Sequence, residues 1–430
     1  MDTPERRAPR ASPLDALSIG YIKILKAFLT ISASWPYLTV GGKVHPVYKY
    51  YVRCIIPFGL TAISLEVWFL IDHFNVLSLF EVGQMYLTCF FAALSIARMF
   101  LPFCSQYGEI VERFLLSFHL IHFKHKGSYH LKIYEKLEWL SHRVVIITLV
   151  LGMFCAMAYN MMPIINNISS GAYKDDNKTV ELAVYFSYPG FDPQDHYKFA
   201  TVFNFYSVFE CAILIAGIDI LMSLFVMQII GHIEVLKNSL LTFPEPKKPT
   251  NIINADFGRI NQFAVLRAPM FTEEENLIIK EKIKDCVKHH LFIVSFTDDM
   301  SALFGPVLAI YLLFHQVSGC ILLLEISAGG PDAFTKYGPL TVTIFGQLII
   351  ISTIFEIVNT KSELLATTAY SMPWECMNVS NRRSVCILLR RLQRPIAVRA
   401  LGVTAVNVQT MSTILKTSFS YFTFLRTLND

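Results

Sequence analysis

Thr413, Thr417, Ser420, Phe424 and Thr427 stand at i, i+4, i+7, i+11 and i+14, the spacing of one stripe on an α-helix. Four of the five carry a hydroxyl. They lie in or beside the run Leu401–Leu425, whose single charge is Lys416. At ~1.5 Å per residue that run is long enough to cross a bilayer core of ~30 Å. Its other side offers Val408, Met411, Leu415, Phe419 and Phe422. Lipid would leave the hydroxyls unpaired, so the stripe faces a neighbouring helix or water. Against a helix, the hydroxyls act as glue. Against water they line a conduit, and Phe424 is the bulky apolar residue suited to closing it by dewetting.

Other polar residues interrupt apolar runs at Glu66, Glu210, Asp219, His315 and Lys416. Ionisable groups at such positions mark function or buried pairs. Tyr206 and Glu210 are one turn apart, and Phe203 extends their face. A carboxylate beside two aromatics could orient a ligand bearing a hydroxyl or amine, or could bond a neighbouring helix. A pocket for a small apolar ligand needs a concave, mostly hydrophobic wall. The candidates are Gln84 and Leu87, then Phe154, Met157 and Met161, then Phe203, Tyr206 and Glu210, and finally Val342 and Phe345. Methionine and aromatic side chains repack around different shapes, although they also fill ordinary helix bundles. His119, His122 and His125 have helical spacing, but no Cys or carboxylate completes a ligand set, so neither metal nor cofactor is assigned. There is no glycine-rich phosphate loop, His-Glu-x-x-His, paired Cys-x-x-Cys or Gly-x-Ser-x-Gly, and the chain does not read as an enzyme.

The elements that must position these residues are membrane spans. Of 430 residues 53% are hydrophobic, and the mean hydropathy is +0.46, too apolar for a soluble domain of this size. A net charge of +4 without a basic block gives no sign of nucleic-acid binding. Six runs precede the last helix, at roughly Cys54–Ile71, Leu77–Ala97, Val144–Ile165, Thr201–Ile230, Met300–Leu324 and Leu340–Val358. The fold class is therefore all-α: seven transmembrane helices with long helices reaching into a cytosolic anchor. Most of the 37 Lys and Arg residues fall in segments that are inner if the N-terminus is inside; only Lys174, Lys178, Lys198, Lys336 and Arg426 fall outside. No cleavable signal peptide is expected, because Lys23 and Lys26 interrupt the first apolar stretch.

The expected organisation is a cytosolic segment 1–49 with an amphipathic helix, spans one to four over 50–230 with an outer loop 166–200, anchor helices 231–299, spans five and six over 300–360, an anchor segment 361–400 and the lining span 401–430. The helix Leu14–Ile31 carries Leu14, Leu17, Tyr21, Leu25 and Phe28 on one face and is expected on the inner membrane surface. Sequons at Asn167 and Asn177 fall in the outer loop and are glycosylation candidates; Asn378-Val-Ser380 would be inside. The loop Leu182–Tyr197 could fold over the pocket as a lid. No cysteine lies between Asn166 and Ala200, the longest expected outer loop, so no disulfide framework is expected. Three prolines in Phe243–Pro249 divide two cytosolic helices, the second opening on Thr272 with Glu275 at capping-box spacing. A further cytosolic helix is expected over Arg382–Leu392.

The run Leu392–Leu425 resembles the C-terminal signature of insect odorant receptors, in Gln393-Arg394-Pro395, Ile414-Leu415-Lys416 and Ser418-Phe419-Ser420-Tyr421-Phe422. Ala369-Tyr370-Ser371 with Trp374-Glu375, Trp35-Pro36 before the first span, and Tyr188-Pro189 with Phe191-Asp192-Pro193 are similar to the same family's patterns. The resemblance implies an odorant-gated, non-selective cation channel subunit in the plasma membrane of a sensory neuron. The last helices of four subunits would surround the pathway, with a cytosolic anchor and no G protein required. The short stretch between spans four and five, and Phe424 where the family's co-receptor carries a smaller aliphatic residue, imply an odorant-tuning subunit that forms a heterotetramer with that co-receptor. A small volatile ligand would enter the outer pocket. A gustatory-receptor-like channel shares the architecture, but the Thr-Tyr…Gln-Phe pattern of its last helix is missing. A G-protein-coupled receptor would have its N-terminus outside and an Asp-Arg-Tyr motif, and a transporter would show paired, broken helices.

Overall fold

The computed structural model describes residues 16–41, 46–77, 79–174, 178–246, 270–328, 330–402 and 404–429. Its helices are α1 (Gly20–Ile31), α2 (Pro46–His73), α3 (Leu79–Met99), α4 (Ser105–Arg113), α5 (Ser128–Ser170), α6 (Tyr197–Leu241), α7 (Glu273–Ala328), α8 (Gly330–Tyr370), α9 (Val379–Leu392) and α10 (Val408–Asn429). Six of them, α2, α3 and α5 to α8, contain windows long and apolar enough to cross a membrane. The 22-residue α10 spans ~33 Å at ~1.5 Å per residue, also enough to cross. The protein is an all-α membrane protein of seven such helices.

Four spans are far longer than a bilayer requires. Helices α5, α6, α7 and α8 run for 43, 45, 56 and 41 residues, so each continues past the hydrocarbon as one rod. The central one is α6, in which every residue from Leu214 to Ile229 is buried. A helix apolar on all sides has only the middle of a bundle to occupy. At Gly231 the neighbours close in so tightly that a Cβ would sit 2.3 Å from Leu120 and 2.4 Å from Leu137. Around this extension Phe118 stacks on Phe296 at 3.7 Å, and α9 caps the same end. Asn381 Nδ2 donates to Asn276 O at 2.9 Å, while the Asn378 side chain accepts from Asn381 N and caps α9. The capping box at α7 forms as expected: Glu275 N donates to Thr272 Oγ1 at 3.2 Å, and Thr272 N donates to Glu275 Oε2 at 2.9 Å.

Three expectations are corrected. Helix α1 does not present its apolar face to a membrane surface. Tyr21, Ile22, Leu25 and Leu29 are buried in the bundle, and Tyr21 Oη lies 2.7 Å from His119 Nε2; Leu14 lies outside the described residues. The last helix begins at Val408 rather than Leu401. A two-strand hairpin, β1 (Arg399–Ala400) and β2 (Thr404–Ala405), precedes it, with Leu401 and Gly402 at positive φ. The hairpin approaches α7 at Gly305, where Leu401 N donates to Gly305 O and a Cβ would lie 3.1 Å from Arg399 O. Asn407 then caps α10, accepting from Thr410 N at 2.9 Å. Helix α9 starts one turn earlier than Arg382, at Val379. Of the proline segment 243–249, residues 247–249 lie outside the described residues, and 243–246 are not helical.

Candidate ligand cavity and lining helix

Small side chains open a cavity of about 130 Å³ among α2, α3, α5, α6 and α8. Gly59 and Ala62 of α2, Ala92 of α3, Gly152 and Ala156 of α5, and Ala212 of α6 all lie on its wall. At Gly152 an added Cβ would meet only Ala216 Cβ, at 4.0 Å. Larger apolar groups complete the wall: Phe58, Leu87, Phe91, Val208, Leu340 and Ile344. Its polar side chains are Glu66, Thr88, Ser95, Tyr159, Ser207, Glu210, Thr343 and Gln347, and of these Glu66 Oε1, Ser207 Oγ and Glu210 Oε1 are buried without a hydrogen-bond partner. Among the described residues no Lys, Arg or His is on the wall.

The connection before α6 closes one end. Val184 and Phe186 line the cavity, and their segment is fastened by donors from three helices. Ala183 O accepts from Tyr159 Oη at 3.1 Å and Gln84 Nε2 at 3.4 Å, and Val184 O accepts from Asn204 Nδ2 at 2.9 Å. Tyr337 Oη in turn donates to Gln84 Oε1 at 2.9 Å. At the start of this loop Asn167 Nδ2 donates to Glu181 O and Asn167 Oδ1 accepts from Glu181 N, both at 2.8 Å. Asn167 is 2% exposed. Its amide nitrogen is engaged and enclosed, so this fold leaves no room for a glycan there; Asn177 lies outside the described residues.

Of the candidates read from the sequence, Leu87 and Glu210 reach the cavity wall. Gln84 stands beyond it and holds the loop. Phe203 packs behind the wall, its ring 5.1 Å from Phe186 and 5.5 Å from Phe58, and Tyr206 lies edge-on to Phe58 at 4.8 Å. Phe154, Met157 and Val342 point away from the bundle and are exposed. Met161 is partly buried off the cavity, where α5 offers Cys155, Ala156 and Tyr159 instead. Phe345 faces α7, 3.0 Å from where a Cβ on Gly319 would be. Span one was not assigned to the pocket by sequence reasoning: Glu66 stood out as an ionisable residue in a span, but its place on the wall, and Phe58 beside it, were missed. The regular small residues Gly59 and Ala62 were the available signal.

Beside the wall residue Ile215, Arg98 Nη2 pairs with Asp219 Oδ1 at 2.7 Å, with both side chains buried. Arg98 Nη1 donates to Ile215 O at 2.7 Å, and its guanidinium lies over Tyr311 at 5.5 Å. Asp219 is thus half of a buried pair. One turn along α7, His315 Nδ1 lies 2.8 Å from Tyr311 O. The next residue, Gln316, touches α10. Thr417 Oγ1 donates to Gln316 Oε1 at 2.5 Å, and Ser418 Oγ donates to Gln316 O at 3.2 Å.

Helix α10 rests on α7 and α8 through a narrow face, with Ile414 and Ser418 buried. Thr413, Ser420, Phe424 and Thr427 are exposed on the single chain, as is Lys416, and Thr417 is half-buried. Thr417 therefore does glue helices, while the rest of the stripe meets nothing in its own chain. Thr413, Ser420 and Thr427 donate their hydroxyl protons to the carbonyls of Gln409, Lys416 and Phe424 at 3.0, 2.9 and 2.7 Å. With the proton turned inward, the oxygen lone pairs face outward.

The histidines make no metal site; among the described residues no cluster of His, Cys, Asp or Glu is arranged to hold one. His119 bonds Tyr21, as above. In the α6 and α7 extensions, His232 Nε2 lies 2.7 Å from Phe118 O and His232 Nδ1 lies 3.0 Å from His289 Nε2. Burial, with the Lys126 charge second, pulls His289 down to about 4; burial also lowers His232, aided by His289.

Seven spanning helices, five of them around a loop-capped cavity and the last laid against the outside, make up this class of membrane protein. The model of the 7tm Odorant receptor family matches residues 75–419, and the chain belongs to that family. It is 21% identical to odorant receptor 13a of Drosophila melanogaster over 97% of each chain. It is 25% identical to odorant receptor 30a of the same species over 35% of this chain, an alignment spanning 41% of that relative. In fold it matches olfactory receptor OR5 of Machilis hrabei with a TM-score of 0.75 and 14% identity, covering 96% of this chain and 99% of that one. The same receptor in complex with eugenol gives 0.74 at 13% identity, with 96% and 100% covered.

Proposed function

We propose that the chain is the odorant-tuning subunit of a ligand-gated, non-selective cation channel. A small volatile molecule occupies the cavity behind the 182–188 segment, and opening moves α10. The observation that carries this reading is the outward stripe of α10. Thr413, Ser420 and Thr427 present acceptor oxygens away from their own bundle, a lining suited to passing cations, and Phe424 is the bulky group among them, 59% exposed. Such a surface is unsuited to lipid and is satisfied where α10 helices meet around a shared pathway. Gln316 links Thr417 and Ser418 to α7, one residue from His315 and five from Tyr311, whose ring faces the Arg98 guanidinium. A ligand acts through this contact only by binding one arrangement more tightly than the other.

The family supports assembly with the odorant co-receptor as a heterotetramer in the plasma membrane, with the N-terminus and the α9 end inside. The test is recording from cells that express this chain with and without the co-receptor during an odour panel. Odour-evoked cation current should require both chains. Current from this chain alone would refute the heteromer, and no current from the pair would refute the channel.

A further inference from the structure

Three buried polar atoms of the cavity have unmade hydrogen bonds, and two of them are carboxyl oxygens. Glu66 Oε1, Ser207 Oγ and Glu210 Oε1 line the cavity without a partner. Glu66 and Ser207 are 2% and 8% exposed, so bulk water does not serve them. A buried acceptor left without a donor is destabilising, so a molecule that brings a donor gains more here than one that cannot. The cavity supplies no donor cation of its own. The nearest described guanidinium, Arg98, is committed to Asp219 and to Ile215 O. Thr88 spends its hydroxyl on backbone carbonyls of its own helix, Gln84 O and Met85 O. The hydroxyls of Ser95, Tyr159 and Thr343 are likewise spent on backbone carbonyls, those of Phe91, Ala183 and Pro339. Gln347 is a further polar side chain on the wall, and the remainder is apolar, with Phe58, Leu87, Phe91 and Ile344 around the void.

We infer that this cavity selects small apolar molecules whose one polar group donates a hydrogen bond, namely alcohols, phenols or amines. Glu66 and Glu210 are the acceptors and Ser207 stands beside Glu210. A carboxylate head group meets no cation on the described wall, and an ether or hydrocarbon brings no donor to Glu66 Oε1 or Glu210 Oε1. The inference rests on reading the cavity as the ligand site of the proposed channel.

The test uses full-length chain co-expressed with the co-receptor. The probes are 1-heptanol, heptylamine, 1-methoxyhexane, octane and hexanoic acid, matched in heavy-atom number, with shorter and longer homologues of each. The better of the alcohol and amine series should act at concentrations at least about tenfold below the ether and hydrocarbon series, with the acids weakest. Glu210→Leu and, separately, Ser207→Ala should shrink that gap. Ethers as potent as alcohols would overturn the inference and leave the channel standing, whereas silence to every odour in a broad panel would overturn both. If a variant fails to reach the surface, the wild-type comparison of 1-heptanol with 1-methoxyhexane still decides.

Discussion

Filling the cavity from Gly152 separates its use as a ligand site from its use as packing. A Cβ at Gly152 meets only Ala216 Cβ at 4.0 Å, so a side chain there grows into the void of about 130 Å³. Gly152→Leu should be tolerated or stabilising. Replacing a mid-helix glycine gains roughly 0.5–1 kcal/mol, and filling a void commonly adds about 0.5–2 kcal/mol. A ligand must then push the wall outward, and overpacking costs about 1–3 kcal/mol. That corresponds to roughly a 5- to 150-fold rise in the half-maximal concentration. Gly152→Ala, which adds one methyl group at ordinary contact distance, should shift it by less than about threefold. The assay is a concentration–response series at matched surface expression, with thermal unfolding of the purified channel beside it. A Gly152→Leu channel as stable as the parent, with unchanged sensitivity, would refute the placement of the ligand.

Further outcomes follow from the same geometry. Phe424→Ala, in cells with the co-receptor, should raise leak current or change ion selectivity, since the bulky apolar residue of the wet stripe is removed; unaltered leak and conductance remove Phe424 from the gate. Asp219→Ala leaves the Arg98 charge buried and unpaired, which should destabilise the protein by roughly 3–5 kcal/mol, and adding Arg98→Met should restore most of the loss. Denaturant or thermal unfolding in detergent measures both. His289, held at about 4 in the fold against an ordinary value near 6.5, favours the neutral form. Its contribution to stability is full above pH ~6.5 and is lost as pH falls toward 4, because the unfolded chain binds the proton first. Thermal unfolding should therefore fall over that window and become flatter in His289→Gln.

How much of this was legible in the sequence varies with the physics of each feature. The spans announced themselves through long apolar runs, and Thr272 with Glu275 located the start of α7. The helical spacing of Thr413, Thr417, Ser420 and Thr427 could be read from the sequence, but Thr410, Ser412, Ser418 and Thr423 add hydroxyls elsewhere on α10, and that Thr417 and Ser418 bond Gln316 needed the fold. The inward faces of the other spans were not readable. In a bundle surrounded by lipid both faces are apolar, so Phe154 and Met157 looked as inward as Cys155 and Ala156. The cavity is also made by what is missing: Gly59, Ala62, Gly152 and Ala212 define it, whereas large flexible side chains were sought. Arg98 was invisible as Asp219's partner because the two lie on different helices. Helix α1 has the pattern of a surface helix, and only its packing on α5 and α6 shows that its apolar face is covered by protein.

The claim on which the account turns is that the stripe of α10 borders the ion pathway. Cysteines introduced one at a time at Thr413, Ser420 and Thr427, and at buried Ile414 and Ser418, can be exposed to a charged, water-soluble thiol reagent during odour-evoked current, with the parent chain controlling for its nine native cysteines. The account predicts that modification blocks or alters current at 413, 420 and 427 and leaves 414 and 418 unaffected. Current indifferent to reagent at all three exposed positions, in channels that still open, would contradict it.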